Sequence, residues 1–391
     1  MSLYALDSYE YLLPDQLIAQ LPHNPPDQCR LLVVDTQNAT WKHDRFDTAL
    51  IQGLNTSSVL FFNTSKVVKA RIPLDDALII LSTGTVIPGI SGGELLYLTH
   101  SSDDGCYEFL VKPGSKLKPG TRIIITKNNV LYTLDIREQS LYGRIIYYSG
   151  SMFNLLDEVG QMPLPPYIEY NTSKESSYQP VMATTPGSVA SPTASLHFTH
   201  NLLTGLSTKG VITDQVTLHV GLGTFKSIQT NDVRDHQIHN EQAQVDLGIF
   251  ERIMNYKLTH KTIVAVGTTT TRTLESLPYL FQSLRQTLSD KLSSDIFDYW
   301  SKISVTHNPL GIIYSPTVVG DNIVFGCQLY ITPGFHFCII DQLITNFHLP
   351  KSSLMVLVAS MMGHDLMMKV YQDAVSQQYM FYSFGDAMWI R

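Results

Sequence analysis

Cysteine is scarce in this chain. Only Cys29, Cys106, Cys327 and Cys338 occur among 391 residues, and no two of them form a Cys-x-x-Cys pair. That spacing argues against zinc and dithiol redox chemistry. The low count argues against a secreted disulfide framework and leaves buried free thiols in a reducing compartment. Long apolar runs are missing too: the stretch 354–363 falls far short of the roughly 20 residues that cross a bilayer. The first residues carry Asp7 and Glu10 and lack both the basic start and the apolar core of a secretory signal, so a soluble, cytoplasmic protein with no membrane partner is expected. Positive charge is in deficit, with 27 Lys and Arg against 34 Asp and Glu and a net charge of −7, which argues against generic polyanion binding. Two local basic clusters remain, Lys66/Lys69/Arg71 and Lys112/Lys116/Lys118/Arg122, although such clusters are more often solvated edges than phosphate sites.

What is present reads as globular: 44% hydrophobic and 16% charged residues, in a chain long enough for two or three domains. Segment 13–18, with Pro14 just inside, reads as a capped helix start. Residues 30–34 and 58–62 are apolar, β-rich runs of strand length. From 72 to 157 the texture changes. Short β-rich segments at 77–81, 94–98, 107–111, 121–126, 130–136 and 143–148 alternate with Gly, Pro, Asn and Asp turns, which suggests a small antiparallel barrel. The expected organisation is an α/β (α+β) main domain in two parts, 1–71 and 158–391, with an inserted small antiparallel β-barrel domain at 72–157. A proline-stiffened connector follows at 160–167, then a polar and mobile stretch at 170–178. Helices are expected at 202–209, 272–277 and 354–362, and strands at 216–219, 263–266 and 341–344. Residues 278–325 read as helix to about 302 and turns thereafter.

Several segments concentrate polar chemistry beside apolar strands. In 187–199 small residues and hydroxyls, Thr193 among them, precede His197, but a turn followed by an ordinary helix start explains the pattern as well. In 217–225 a strand carrying His219 ends in Gly221-Leu222-Gly223, a weak signal without a full GxGxxG. His236 and His239 would share a face if that stretch were helical. Zinc is the tempting inference, yet such a pair alone is more often a surface or substrate contact. The strand 263–266 runs into Gly267 and four threonines before Arg272, which suits an anion or carboxylate at a helix start, with simple N-capping as the plainer reading. Asn346, His348 and Lys351 follow a strand, and Asp386 follows Gly385; each is also satisfied as a core polar group.

The stretches LPDQLIAQ, RLLVVD, VLFFNTSKVVKARI, FLVKPGSKLKPG, GQMPLPPYI, PGSVASPTASLHFT, VTLHVGLGTF, HQIHNE, VAVGTTTTRTLES, LITNFHLPKSSL and FYSFGDAM run in order from about residue 13 to 388. Together they resemble the S-adenosylmethionine:tRNA ribosyltransferase-isomerases of queuosine biosynthesis. The resemblance implies an α/β domain carrying an inserted β-barrel. It implies S-adenosylmethionine as co-substrate, no metal, and the tRNA anticodon stem-loop as partner, in a monomer or weak oligomer. The ribosyl group would pass to an aminomethyl-deazaguanine wobble base and be isomerised, giving epoxyqueuosine, adenine and methionine. On this expectation His197, His219 and His348 line the pocket, one as base, since imidazoles titrate near neutrality. Thr193, Thr268, Thr269, Arg272 and Asn346 contact substrate, with Thr268, Thr269 and Arg272 holding the methionine carboxylate or a phosphate. Asn63, Lys66 and Arg71 position substrate, and Asp232, His236, His239 and Glu241 form a second tier. The chain departs from the family pattern at Thr64, where an Asp is usual, at Ser195 (Gly), at Tyr170 and Met380 (Arg) and at Phe384 (Tyr). The alternative is a divergent paralogue that binds nucleotide or RNA without turnover. A methyltransferase is disfavoured by the lack of a glycine-rich strand–helix fingerprint.

Overall fold

The computed structural model describes residues 2–100, 104–140, 143–221, 223, 227–305, 311 and 313–391. Two compact units emerge: Met1–Ser65 with Pro166–Thr185 and Ser191–Arg391, and Lys66–Pro165 with Pro186–Ala190. In chain order the first unit opens with β1 (Arg30–Asp35), β2 (Thr40–Arg45), α1 (Phe46–Gly53) and β3 (Ser58–Asn63). The short β4 (Ser65–Val67) follows.

The second unit comprises β5 (Arg71–Pro73), β6 (Leu78–Ile80), β7 (Val86–Pro88), β8 (Glu94–His100), β9 (Cys106–Lys112), β10 (Arg122–Lys127), β11 (Val130–Gln139), β12 (Arg144–Tyr147) and α2 (Met152–Val159). Its eight strands form one sheet in the order β5-β8-β9-β12-β11-β10-β6-β7, and every neighbouring pair is antiparallel. Alternation drives it: Ile123, Leu134, Ile136 and Phe109 are buried while their chain neighbours face outward. The β10–β11 turn is a two-residue loop, Asn128-Asn129. Both residues have positive φ (51° and 62°), a conformation Asn tolerates and a tight hairpin requires.

The chain continues with β13 (Thr185–Ser188), α3 (His200–Thr208), β14 (Ile212–Leu218), β15 (Glu241–Asp246), α4 (Ile249–Leu258), β16 (Thr262–Val266) and α5 (Thr268–Glu275). Then come α6 (Leu277–Ser283), α7 (Arg285–Ser289), α8 (Ser294–Ser301), β17 (Ile313–Val319), β18 (Asn322–Cys327), β19 (Gln342–Asn346), α9 (Ser353–Met362), α10 (His364–Ser376) and β20 (Ala387–Ile390). The main sheet has ten strands ordered β17-β18-β15-β14-β3-β16-β19-β20-β1-β2, and β14, β3, β16 and β19 run parallel. All six residues of β3 are buried, as befits a strand covered on both faces. Leu60 and Phe62 pack with Val264, Val266, Ile344, Phe46, Phe198 and Trp389 into one cluster. Each such side chain contributes about 1.5–3 kcal/mol by leaving water.

Two expectations are corrected. Asp15–Leu17 forms a 3-10 turn rather than an α-helix start. Residues 313–319 and 322–327 are not turns but a hairpin extending the main sheet through β15. In the stretch 170–178, Tyr170, Asn171, Ser173 and Ser176 are exposed while Lys174 and Tyr178 are buried. No single helix among the described residues is long and apolar enough to cross a membrane.

Candidate active site

Among the four parallel strands, β3 comes first in the chain, β14 lies on one side of it and β16 on the other. The chain therefore goes from β3 to β14 on one side and from β16 to β19 on the other. The carboxyl ends of strands at such a reversal form a natural crevice for ligands. The polar residues singled out in the sequence gather there: Asn63 ends β3, His219 follows β14, the threonines follow β16, and Asn346 ends β19.

The β3 side is a closed hydrogen-bond set. Asn63 is fully buried and donates to Leu218 O (2.9 Å) and Thr269 Oγ1 (3.2 Å), while its Oδ1 accepts from the amides of Ser65 and Leu218 (3.0 Å each). Its capacity is used inside the protein, so it positions the strand ends rather than touching a ligand. Ser65 Oγ lies 2.7 Å from His219 Nδ1, and burial lowers the pKa of His219. Across the reversal, Gly267 adopts φ 91°, donates to Ile344 O at 2.8 Å, and would place a Cβ 3.6 Å from that of Ala194. Gly267 thus ties the start of α5 to β19 and to the segment holding Thr193 and His197.

All eight residues of α5 are buried. Thr270, Thr271 and Thr273 donate their hydroxyls to carbonyls four residues back, an internal solution for a polar buried helix. Thr268 and Thr269 open the helix, whose first amides have no helical partners. Arg272 does not reach the crevice as a free cation. Its guanidinium pairs with Glu241 and donates to Cys327 O (2.9 Å) and Leu329 O (3.0 Å). Glu241 also accepts from Gly221 N at 2.9 Å. This buried pair fastens α5 to β15 and β18 and engages the guanidinium that was expected to hold a carboxylate or phosphate.

On the β19 side, Asn346 Nδ2 lies 2.9 Å from Tyr382 O and 3.1 Å from His197 Nε2. The Tyr382 carbonyl can only accept, so the amide nitrogen must face it, and His197 Nε2 is then an acceptor. The ring proton sits on Nδ1, 3.3 Å from Cys29 Sγ. Burial pushes His197 down to about 4 and the Cys29 thiol well up, so the imidazole is neutral and the sulfur is no thiolate. His348 is pushed to about 3 by burial, and its Nε2 lies 2.9 Å from Thr345 Oγ1.

Asn346, His348, Thr193, Ser352, Tyr167 and Tyr382 line a narrow cavity with about 40 Å³ open to water. His197 stands behind Asn346 and is not among the lining residues. Tyr382, at φ 71°, stacks on Tyr167 with centroids 4.6 Å apart. It is also a wall of a wider hollow of about 390 Å³ lined by Glu10, Tyr11 and Asp15. Tyr382, Tyr167 and Ser352 were not anticipated as site residues; a tyrosine at positive φ leaves no mark in a sequence.

Lys66 and Arg71 belong to the second unit, where Arg71 pairs with Glu94 at 2.6 Å. Asp232 pairs with Arg234 at 2.6 Å on the surface. The helix imagined for His236 and His239 is absent. His236 meets the Tyr330 ring edge-on, and His239 lies where a Cβ on Gly223 would fall. Leu222, Thr224 and Phe225 of that turn lie outside the described residues. Among the described residues no three His, Cys, Asp or Glu side chains gather as metal ligands would.

The sequence matches the family described as "Queuosine biosynthesis protein" over residues 6–390. It is 36% identical to the S-adenosylmethionine:tRNA ribosyltransferase-isomerase of Fusobacterium nucleatum over 392 residues, covering 100% of this chain and 97% of the relative. The chain belongs to the queuosine biosynthesis protein family. The family's enzyme from Symbiobacterium thermophilum is likewise 36% identical, covering 98% of this chain and 99% of that one. A solved S-adenosylmethionine tRNA ribosyltransferase from Thermotoga maritima is 28% identical, with a TM-score of 0.50 over 98% of this chain and 100% of that chain. Thr64 Oγ1 meets Thr217 Oγ1 at 3.0 Å, and Ser195 carries a buried hydroxyl without a partner among the described residues.

Proposed function

We propose that this chain transfers the ribosyl group of S-adenosylmethionine to an aminomethyl-deazaguanine at the tRNA wobble position and isomerises it, yielding epoxyqueuosine and releasing adenine and methionine. Full-length similarity to enzymes named for this reaction supports the reading. The structural observation that carries it is the narrow cavity at the carboxyl edge of the parallel strands, into whose lining Thr193, Asn346 and His348 bring polar side chains. The sulfonium acidifies the neighbouring ribose 5′ protons, the acceptor amine must be neutral to attack, and departing adenine gains from a proton. A neutral imidazole suits the first task. We assign it to His219, whose Nδ1 is held by Ser65 and whose burial is partial. His348 faces the cavity with an imidazole kept neutral by burial. Thr193 lines the same cavity, and Thr268 and Thr269, at the start of α5, are further hydrogen-bonding groups for the substrate.

Supporting this reading of the architecture, the chain runs through the eight-stranded antiparallel unit from Lys66 to Pro165, with a short return at Pro186–Ala190, and the main unit supplies the chain before and after, as an inserted barrel would have it. The partner is the anticodon stem-loop, in the cytoplasm, with no metal and a monomer or weak oligomer as the working form. The test incubates the protein with S-adenosylmethionine and a stem-loop carrying the deazaguanine precursor. Adenine release with mass gain on the RNA supports the proposal. S-adenosylhomocysteine, or binding without product, overturns it.

A further inference from the structure

Asn346 is 2% exposed, and its buried Oδ1 has no hydrogen-bond partner among the described residues. An uncompensated buried acceptor is costly, and the cost is removed when a ligand supplies a donor. The orientation of this acceptor is fixed. Both Nδ2 protons are spent, one on Tyr382 O and one on His197 Nε2, so only Oδ1 remains for anything entering the cavity that Asn346 lines. His197 can accept only because its own proton lies on Nδ1, toward Cys29 Sγ.

We propose that Cys29, His197 and Asn346 form a positioning relay that presents one obligate acceptor to the cavity, so that the site selects a nucleobase bearing an exocyclic amine over one bearing an oxo group. This rests on the reading that S-adenosylmethionine is the co-substrate and adds which part of it the cavity holds: the 6-amino edge of adenine. In a 6-oxo base the carbonyl would face the Asn346 carbonyl, acceptor against acceptor, with both desolvated. His197 is on this account a positioning residue and moves no proton. The cavity as it stands admits little more than a water molecule, and Tyr382 separates it from the wider hollow, so adenine enters with displacement of that ring.

The experiment compares the binding of S-adenosylmethionine and its inosine analogue by calorimetry. Wild-type protein should prefer the amino form roughly 10- to 100-fold. Asn346→Ala should bring the ratio near one. His197→Phe keeps an aromatic ring beside Phe46 but removes one anchor of the amide; it should lower the ratio several-fold and leave the pH profile of residual turnover unchanged. Equal affinity of the wild type for both compounds overturns the relay while the reaction itself stands, and this needs no variant to fold. A full preference retained in Asn346→Ala, or an altered acid limb in His197→Phe, overturns it as well. If the wild type binds neither compound, the proposed function fails and the relay with it.

Discussion

Ser65 Oγ lies 2.7 Å from Nδ1 of His219, joining the ends of two adjacent parallel strands through one side-chain bond. With Nδ1 engaged, Nε2 is the nitrogen left to move a proton. His219→Ala should lower the rate of adenine release by about 100-fold or more, and Ser65→Ala, which frees the ring but keeps it, by about 10-fold. Because burial lowers its pKa, His219 stays neutral and competent below pH 6.5; the acid limb of kcat/KM should fall under that value and vanish in His219→Ala. A His219→Ala rate close to wild type would remove this residue from the chemistry.

Stability should decline on mild acidification. His197 and His348 are held near 4 and 3 by burial, against an ordinary value of 6.5. Above pH 6.5 both are neutral in the folded and unfolded chain and contribute no slope. Below it the unfolded chain takes up protons that the folded one refuses, so each histidine costs about 1.4 kcal/mol per pH unit until its folded pKa is reached. Urea midpoints between pH 7 and 5 should show this fall, and His348→Gln should flatten it. A midpoint independent of pH over that range would contradict the burial of these neutral rings.

Ser195 carries a fully buried hydroxyl with no partner among the described residues. Ser195→Ala keeps the β-carbon and removes the unsatisfied group. It should raise stability by about 1 kcal/mol, read as a higher melting temperature with unchanged turnover. A loss of stability would mean that the hydroxyl has a partner after all.

Arg272 and Glu241 test the reassignment of the arginine. Arg272→Met strands a buried carboxylate and should cost about 3–5 kcal/mol in urea unfolding, while Arg272→Met with Glu241→Gln should recover part of it. Were Arg272 a ligand contact instead, its loss would weaken binding of S-adenosylmethionine and leave stability nearly untouched.

The parallel core was legible because a strand buried on both faces writes itself as a continuous apolar run, as in Val59-Leu60-Phe61-Phe62. The antiparallel strands between 77 and 148 were legible from alternation and turn residues, Asn128-Asn129 above all. The β17–β18 hairpin was not: β17 is largely exposed and contains Pro316, so neither alternation nor an apolar run marks it. The site was readable as a set of residue types but not as roles. Arg272 in a threonine-rich helix start looks the same in sequence whether it meets a phosphate or Glu241. His197 turns from proton carrier to anchor only through Cys29 and Asn346, 168 and 149 positions away.

Glu275, at the far end of α5 from the threonines, accepts hydrogen bonds from the amides of Cys338 (2.8 Å), Ile339 (3.0 Å) and Ile340 (2.8 Å), just before β19 begins. At its other end, α5 is joined to β19 through Gly267. A helix clamped to one strand at both ends behaves as a single stiff beam. The spacing between Thr269 and Asn346 is therefore set by one rigid element rather than by two independent ones.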